Sequence, residues 1–349
     1  MTRWRFAAAA LALAVGVLTA APAGAWKRGD VDVLAVLPDV THGVKSSVEG
    51  LTVGPDGNIY VPSFGFNTQG AISGPAVLFV ISPDGNVIRK VTIANSSPHM
   101  LGLRFNPATG ALWVLDFGAG NVLNVDPRNG NSSVVAGPIP GSGLNALTFD
   151  RAGNGYVSDS FNGTIWKIPT HGGSFAVWKS DPLLQPGTGL TPPFGANGVE
   201  FSNDGSKLFV TNTAFHQLIQ IAVNGDGSAG AASIFITGIN APDGIAIDKH
   251  DNIWVCANQE DEIVVVDKTG KVIAKLGDFG GIDRDGAPVG FLWSNSLVFR
   301  GDDVLVTNLS LDAGAYTSPS TRTIDGPWAE RVKLHTVSKI KKRIPGVPD

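Results

Sequence analysis

Side chains bearing oxygen recur at one position of a repeated phrase, and their types suit the binding of a hard cation. The phrases are EGLTVGPDGNIYVPS, LGLRFNPATGALWVLD, NALTFDRAGNGYVSD, NGVEFSNDGSKLFVTN, DGIAIDKHDNIWVCA and NSLVFRGDDVLVTN, beginning at Glu49, Leu101, Asn145, Asn197, Asp243 and Asn295. Intervals of 52, 44, 52, 46 and 52 residues separate them. A rotational repeat places equivalent residues in a ring about its axis, and a ring carried by the innermost strand is narrow. Five of the six positions are polar or charged, yet each opens a segment that continues apolar, as in NALTF and DGIAI. Converging carboxylates and amides carry a repulsive and desolvation cost, which a divalent cation relieves.

Glu49, Asn145, Asn197 and Asp243 together offer four side-chain oxygens with a formal charge of -2. Calcium takes six to eight oxygen ligands, so such a set would leave positions for water or substrate. Magnesium also satisfies the charge. Zinc is disfavoured, because no His or Cys stands at a ring position and no HxxxH or CxxC spacing occurs. Leu101 interrupts the ring and is expected to supply wall rather than ligand. A competing reading treats Asn197-Gly198 and Asp243-Gly244 as ordinary turns; the coincidence across equivalent positions weighs against it.

The elements that must position this ring are short strands. Within each copy the apolar alternation has period two and is punctuated by Gly, Asp, Asn or Pro. The first copy resolves into strands near 49–54, 58–63, 76–81 and 86–92, with Pro55-Asp56-Gly57 and Pro83-Asp84-Gly85 as turns. The fifth repeats the plan at 243–248, 252–257, 262–267 and 271–276. Units of this length built from strands predict an all-β six-bladed propeller with four-stranded blades rather than a β-sandwich pair. DVDVLAVL (30–37) precedes the first unit as an unpaired strand, and the last unit lacks one after RVKLHTVSK (331–339). Pairing the two would close the ring and hide two sheet edges.

Composition narrows the function classes. The chain has 349 residues and a net charge of -4, with no basic cluster beyond the KIKKR near its C-terminus, expected to be a solvated tail; nucleic acid is not an expected partner. The start, MTRWRFAAAALALAVGVLTAAPAGA, places Arg3 and Arg5 before an apolar run and Ala23-Gly24-Ala25 at its end. It reads as an export leader (1–25) cleaved after Ala25, leaving a single domain (26–349) in the periplasm or outside the cell, without stable membrane insertion; a membrane anchor is the rival reading. The single cysteine, Cys256, excludes an intramolecular disulfide and lies in the apolar NIWVCAN as a core residue. Asn95, Asn131, Asn162 and Asn308 head Asn-x-Ser/Thr triplets, which matter only in a glycosylating host.

EGLTVGPDGNIYV, GANGVEFSNDGSKLFVTNT and APDGIAIDKHDNIWV make the chain resemble the SMP-30, gluconolactonase and luciferin-regenerating enzyme group of six-bladed propellers. The resemblance covers most of the chain after the leader. It implies a catalytic divalent cation, commonly calcium, in the central tunnel, with Glu49, Asn145, Asn197 and Asp243 at the family's ligand positions. It also implies hydrolysis of a small-molecule lactone or related ester, with Asp243 or Glu49 orienting or deprotonating the attacking water. The last blade departs from the family pattern, placing Asn295 and Ser296 where Ser or Thr precedes a glycine-rich turn.

His99 in SSPHMLGLRF is a second candidate base, two residues before Leu101 in a loop expected over the tunnel mouth. His216 and His250 are assigned no role, and no GxSxG supports a serine nucleophile. The Gly- and Pro-rich segments 64–74, 179–196 and 276–293 are expected to shape the pocket, with Phe194, Phe291 and Trp293 as walls for a hydrophobic lactone or aryl ester. Two other functions fit the strand phrases: a non-catalytic propeller of the NHL type that binds a ligand or protein, and a strictosidine synthase-like enzyme.

Overall fold

Six four-stranded antiparallel sheets follow one another along the chain in a computed structural model that describes residues 28–67, 70–188, 193–311 and 326–344. The leader assigned to residues 1–25 lies outside the described residues. Blade 1 comprises Thr52–Val53, Ile59–Pro62, Val77–Ile81 and Val87–Thr92. Blade 2 comprises Met100–Phe105, Leu112–Asp116, Asn121–Val125 and Ser132–Ala136, and blade 3 Leu144–Phe149, Gly155–Asp159, Thr164–Ile168 and Ala176–Ser180. Blade 4 is built from Ala196–Phe201, Lys207–Asn212, Gln217–Val223 and Ala229–Thr237, and blade 5 from Pro242–Ile247, Ile253–Ala257, Glu262–Val266 and Val272–Leu276. In blade 6, Ser294–Arg300, Asp303–Asn308 and Thr336–Lys341 are joined at the edge by the N-terminal strand Val31–Val36, which pairs antiparallel with Thr336–Lys341.

The basic KIKKR is not a free tail. Lys339, Ile340 and Lys341 belong to the third strand of blade 6; Ile340 is buried, and Lys341 donates to Asp303 at 2.7 Å. The residue alternation of a strand, apolar in and charged out, produces this spacing and mimics a tail in sequence.

Apolar faces of neighbouring blades bury one another, so the core is six wedges rather than one centre. Leu78, Leu112, Val114 and Leu123 join blades 1 and 2. Trp113, Leu147, Val157 and Ile168 join blades 2 and 3. Comparable clusters join blades 3 to 4, 4 to 5 and 5 to 6, and a sixth brings Leu305 and Val337 of blade 6 against Ile59, Val61 and Phe79 of blade 1. Each fully buried aliphatic side chain in such a wedge contributes about 1.5–3 kcal/mol.

The turns between first and second strands are fastened by their own carboxylates. Asp56 accepts from the Asn58 amide and from the Tyr60 hydroxyl at 2.7 Å, and Asp248 accepts likewise from Asn252 and from the Trp254 indole at 3.0 Å. Gly57 adopts φ +79, which a side chain would resist. Burial would push the Asp56 and Asp248 carboxyls up, but these donors outweigh it and hold both below the usual range.

Candidate functional site

Five of the six ring residues sit where the innermost strand slips register, and Glu49 precedes the strand Thr52–Val53. Pairing passes from Met100↔Asp116 to Leu103↔Val114, from Leu144↔Asp159 to Leu147↔Val157, from Ala196↔Asn212 to Val199↔Val210 and from Pro242↔Ala257 to Ile245↔Val255. The inner strand thus carries one residue more than its partner at Leu101-Gly102, Asn145-Ala146, Asn197-Gly198 and Asp243-Gly244. A bulge of this kind turns a side chain out of the sheet's alternation, here toward the axis. Asn197-Gly198 and Asp243-Gly244 are therefore strand residues, not turns.

The glycine after the ring residue has its own cause. A Cβ at Gly50, Gly102, Gly198 or Gly244 would lie under 3.0 Å from the carbonyl oxygen of the next ring residue, Leu101, Asn145, Asp243 or Asn295 respectively. The glycines let adjacent inner strands approach backbone to backbone, and that approach keeps the ring narrow.

Above the ring lies a cavity of about 220 Å³. Glu49, Asn145, Asn197 and Asp243 form its floor together with Leu101, which supplies wall as its side chain dictates. Asn295 is fully buried and turns its amide to the Val48 carbonyl at 3.4 Å; it is absent from the lining. Glu49 and Asp243 are both buried, at 7% exposure each. Burial, reinforced by the Asp243 charge, pushes the Glu49 carboxyl well above its ordinary range. Burial pushes Asp243 up to about 7, against hydrogen bonds from Asn258, Asn197 and the Gly244 backbone. Asn258 donates to Asp243 Oδ2 at 3.0 Å, and Asn197 donates its amide to Thr213 Oγ1 at 3.0 Å. That leaves Asn197 Oδ1 buried with no hydrogen-bond partner among the described residues.

This floor fits a hard cation. Its donors are all oxygen, its two carboxylates repel one another, and a buried carbonyl oxygen stands unsatisfied. Among the described residues no three His, Cys, Asp or Glu side chains converge, so a cation here would draw on the amide oxygens of Asn145 and Asn197.

The walls are aromatic. Phe64, Phe117 and Phe161 contact one another edge to face, with centroids at 6.1 and 5.4 Å, and Phe194 stacks on Phe161 at 6.0 Å. Phe66, Pro193, Trp293, Leu309 and Leu311 complete the apolar lining. Of the aromatic walls expected from sequence, Phe194 and Trp293 line the cavity. Phe291 does not: it is fully buried in the wedge between blades 5 and 6, pressed against Gly277.

His99 is also absent from the lining. Its ring stacks on Phe66 at 4.3 Å, and its Nδ1 lies 3.0 Å from the Phe64 carbonyl oxygen, so it braces the aromatic wall from behind rather than reaching the floor. His216 has a comparable supporting place, since its Nδ1 accepts from the Ala241 backbone at 2.9 Å, two residues before Asp243.

A second ring escaped the sequence reading although the repeat contains it. The residue that follows the second strand of each phrase, or in blade 1 the Ser63 bridge beyond it, is Phe64, Phe117, Ser160, Thr213, Asn258 and Leu309, and all but Ser160 line the cavity. Comparing the ends of the phrases, as well as their starts, would have found them.

Below the ring the tunnel widens into a chamber of about 370 Å³, also bordered by Asn145 and Asn197. There Arg104 donates to Glu200 at 2.6 Å, and Thr148 donates to the other Glu200 oxygen at 2.7 Å.

Residues 189–277 match the family model described as SMP-30/Gluconolactonase/LRE-like region. Lactonase drp35 of Staphylococcus epidermidis is 29% identical over 171 residues, which cover 46% of this chain and 51% of that one; the match spans about half the length of that relative. Among solved structures, a putative gluconolactonase superposes with a TM-score of 0.59 at 16% identity, covering 92% of this chain and 93% of that one. A calcium-binding protein, regucalcin, from Agrobacterium tumefaciens gives a TM-score of 0.59 at 18% identity, covering 91% and 96%. The family resemblance read from the strand phrases is thus met independently, and the chain is a six-bladed β-propeller with an SMP-30/gluconolactonase/LRE-like region at residues 189–277.

Proposed function

We propose that the protein is a cation-dependent hydrolase of lactones or related esters, working in the aromatic chamber above the ring. The observation that carries this reading is the meeting, at the floor of an apolar cavity, of two buried carboxylates with the unsatisfied Asn197 carbonyl oxygen. Calcium or another hard divalent cation, held by Glu49, Asn145, Asn197 and Asp243, would supply Lewis acidity to the substrate carbonyl.

The chain's own residues provide the rest. Asn258 fixes Asp243 Oδ2 and so orients the carboxylate. The Asp243 carboxylate would then face both the cation and the attacking water, and would accept the proton that water gives up. Thr211 donates to the Asp243 backbone carbonyl at 2.8 Å and Thr213 to that of Pro242 at 2.9 Å, which stiffens the strand that carries the base. The phenylalanine walls hold the hydrophobic part of the substrate and exclude competing water. Names carried by relatives, lactonase and gluconolactonase among them, support this reaction class.

The test is hydrolysis of a panel of alkyl and aryl lactones and aryl esters before chelation, after it, and after calcium is restored. Turnover lost on chelation, regained with calcium and strongly reduced in Asp243→Asn is the expected result. Turnover indifferent to both would overturn the proposal.

A further inference from the structure

We infer that the indole N–H of Trp293 donates a hydrogen bond to an oxygen of the bound substrate, which makes Trp293 the orienting donor of the chamber. The inference rests on the reading of that chamber as a substrate site. Trp293 is 2% exposed, lines the cavity, and has no hydrogen-bond partner for its buried Nε1 among the described residues. Buried indole N–H groups ordinarily find a partner, because an unmet donor loses its hydration without return.

The packing does not explain an indole here. Trp293 rests against Leu309 and Leu311 with Phe64 and Phe66 beside it, apolar neighbours whose side chains offer the indole N–H no acceptor. The backbone nonetheless holds this residue at φ +55, a conformation that bulky residues rarely adopt. Trp293 N donates to Asp261 Oδ1 at 2.6 Å, and the Trp293 carbonyl accepts from Leu309 N at 2.9 Å, so the unusual backbone is fastened on both sides. Strain retained at a cavity wall points to a side chain that must be aimed.

Three neighbouring side chains already direct a donor to the protein. The amide of Asn197 goes to Thr213, the hydroxyl of Thr213 to the Pro242 carbonyl, and the amide of Asn258 to Asp243. An ester or lactone group brings acceptor oxygens and no donor of its own. The free N–H of Trp293 complements it, whereas the carboxylates of the floor do not.

Two measurements test this. In the calcium-loaded protein labelled with 15N-tryptophan, the Trp293 indole resonance is assigned by its loss in Trp293→Phe or, should that chain not fold, in a chain with benzothienylalanine placed at residue 293. Added 3,4-dihydro-2-quinolinone, an unreactive cyclic amide, should move this resonance downfield, and tetralin, which lacks oxygen, should leave it in place. Replacement of the N–H should lower kcat/KM on lactones roughly tenfold, the loss expected for one neutral hydrogen bond. A resonance that saturating amide does not shift, or full kcat/KM in either substituted chain, would overturn the inference. A resonance that shifts in a protein without lactone turnover would sink the hydrolase reading alone, while turnover with an unmoved resonance would sink only the role of Trp293.

Discussion

The two chambers of the tunnel meet at Asn145 and Asn197, yet they treat charge in opposite ways. In the lower one Arg104 meets Glu200, and Thr148 satisfies the remaining Glu200 oxygen; the carboxylate there lacks nothing. At the floor of the upper one Glu49 and Asp243 bear the same charge, no cationic side chain among the described residues lines the cavity, and Asn197 leaves an oxygen unsatisfied among those residues. A paired charge is a structural element, whereas a like-charged buried pair is an incomplete one. The difference locates the chemistry on one side of the ring.

The largest effect should come from the incomplete side. Asp243→Asn removes a floor carboxylate with little change in shape, and kcat/KM for lactones should fall by about 10²–10³, as for loss of a group that stabilises developing charge. Comparable activity in wild type and variant would erase the functional contrast between the chambers.

Next comes the backbone approach that keeps the ring narrow. Gly198→Ala puts a Cβ into the Asp243 carbonyl and should cost about 3 kcal/mol by denaturant unfolding. Gly225→Ala, where nothing lies within 4 Å, should change stability by no more than about 0.5 kcal/mol. Equal effects at both positions would mean that the inner strands do not need their glycines.

A smaller effect follows from pH. Carboxyls raised by burial stabilise the fold while protonated, so in chelated protein the Asp243 contribution is present below about pH 4 and is lost as pH rises through about 7, and that of Glu49, also raised by burial, is lost in the same direction. His335, buried and lowered to about 4, acts oppositely: its contribution is present at neutral pH and is lost as pH falls from about 6.5 toward 4. Chelated Asp243→Asn should therefore exceed chelated wild type in stability at pH 7, by at least about 1 kcal/mol, and lose that advantage toward pH 4. Parallel pH profiles for the two chains would show that Asp243 carries no burial penalty.

The smallest change belongs to the completed side. Arg104→Ala should cost roughly 1 kcal/mol, since the guanidinium is partly exposed, and should leave lactone turnover unchanged. A large loss of turnover would move the chemistry below the ring.

Much of this arrangement was legible in the sequence because propeller blades repeat their hydrogen-bonding plan. The strands expected at 243–248 and 252–257 fall at Pro242–Ile247 and Ile253–Ala257, and the ring position emerged from aligned phrase starts. The bulge was not legible, since one extra residue in a strand leaves no compositional mark; without it, Asn197-Gly198 reads as a turn. Long-range contacts were equally hidden. Nothing local distinguishes Phe291, which enters a wedge, from Trp293 two residues later, which reaches the cavity, or shows that His99 stacks behind Phe66.

The most direct test of the central claim is the thermal unfolding midpoint of chelated protein titrated with calcium, in wild type and in Asp243→Asn. The wild-type midpoint should climb with calcium, reaching a stabilisation of about 4 kcal/mol at a thousandfold excess over Kd, while the variant climbs far less. A wild-type midpoint that calcium does not move would contradict the account.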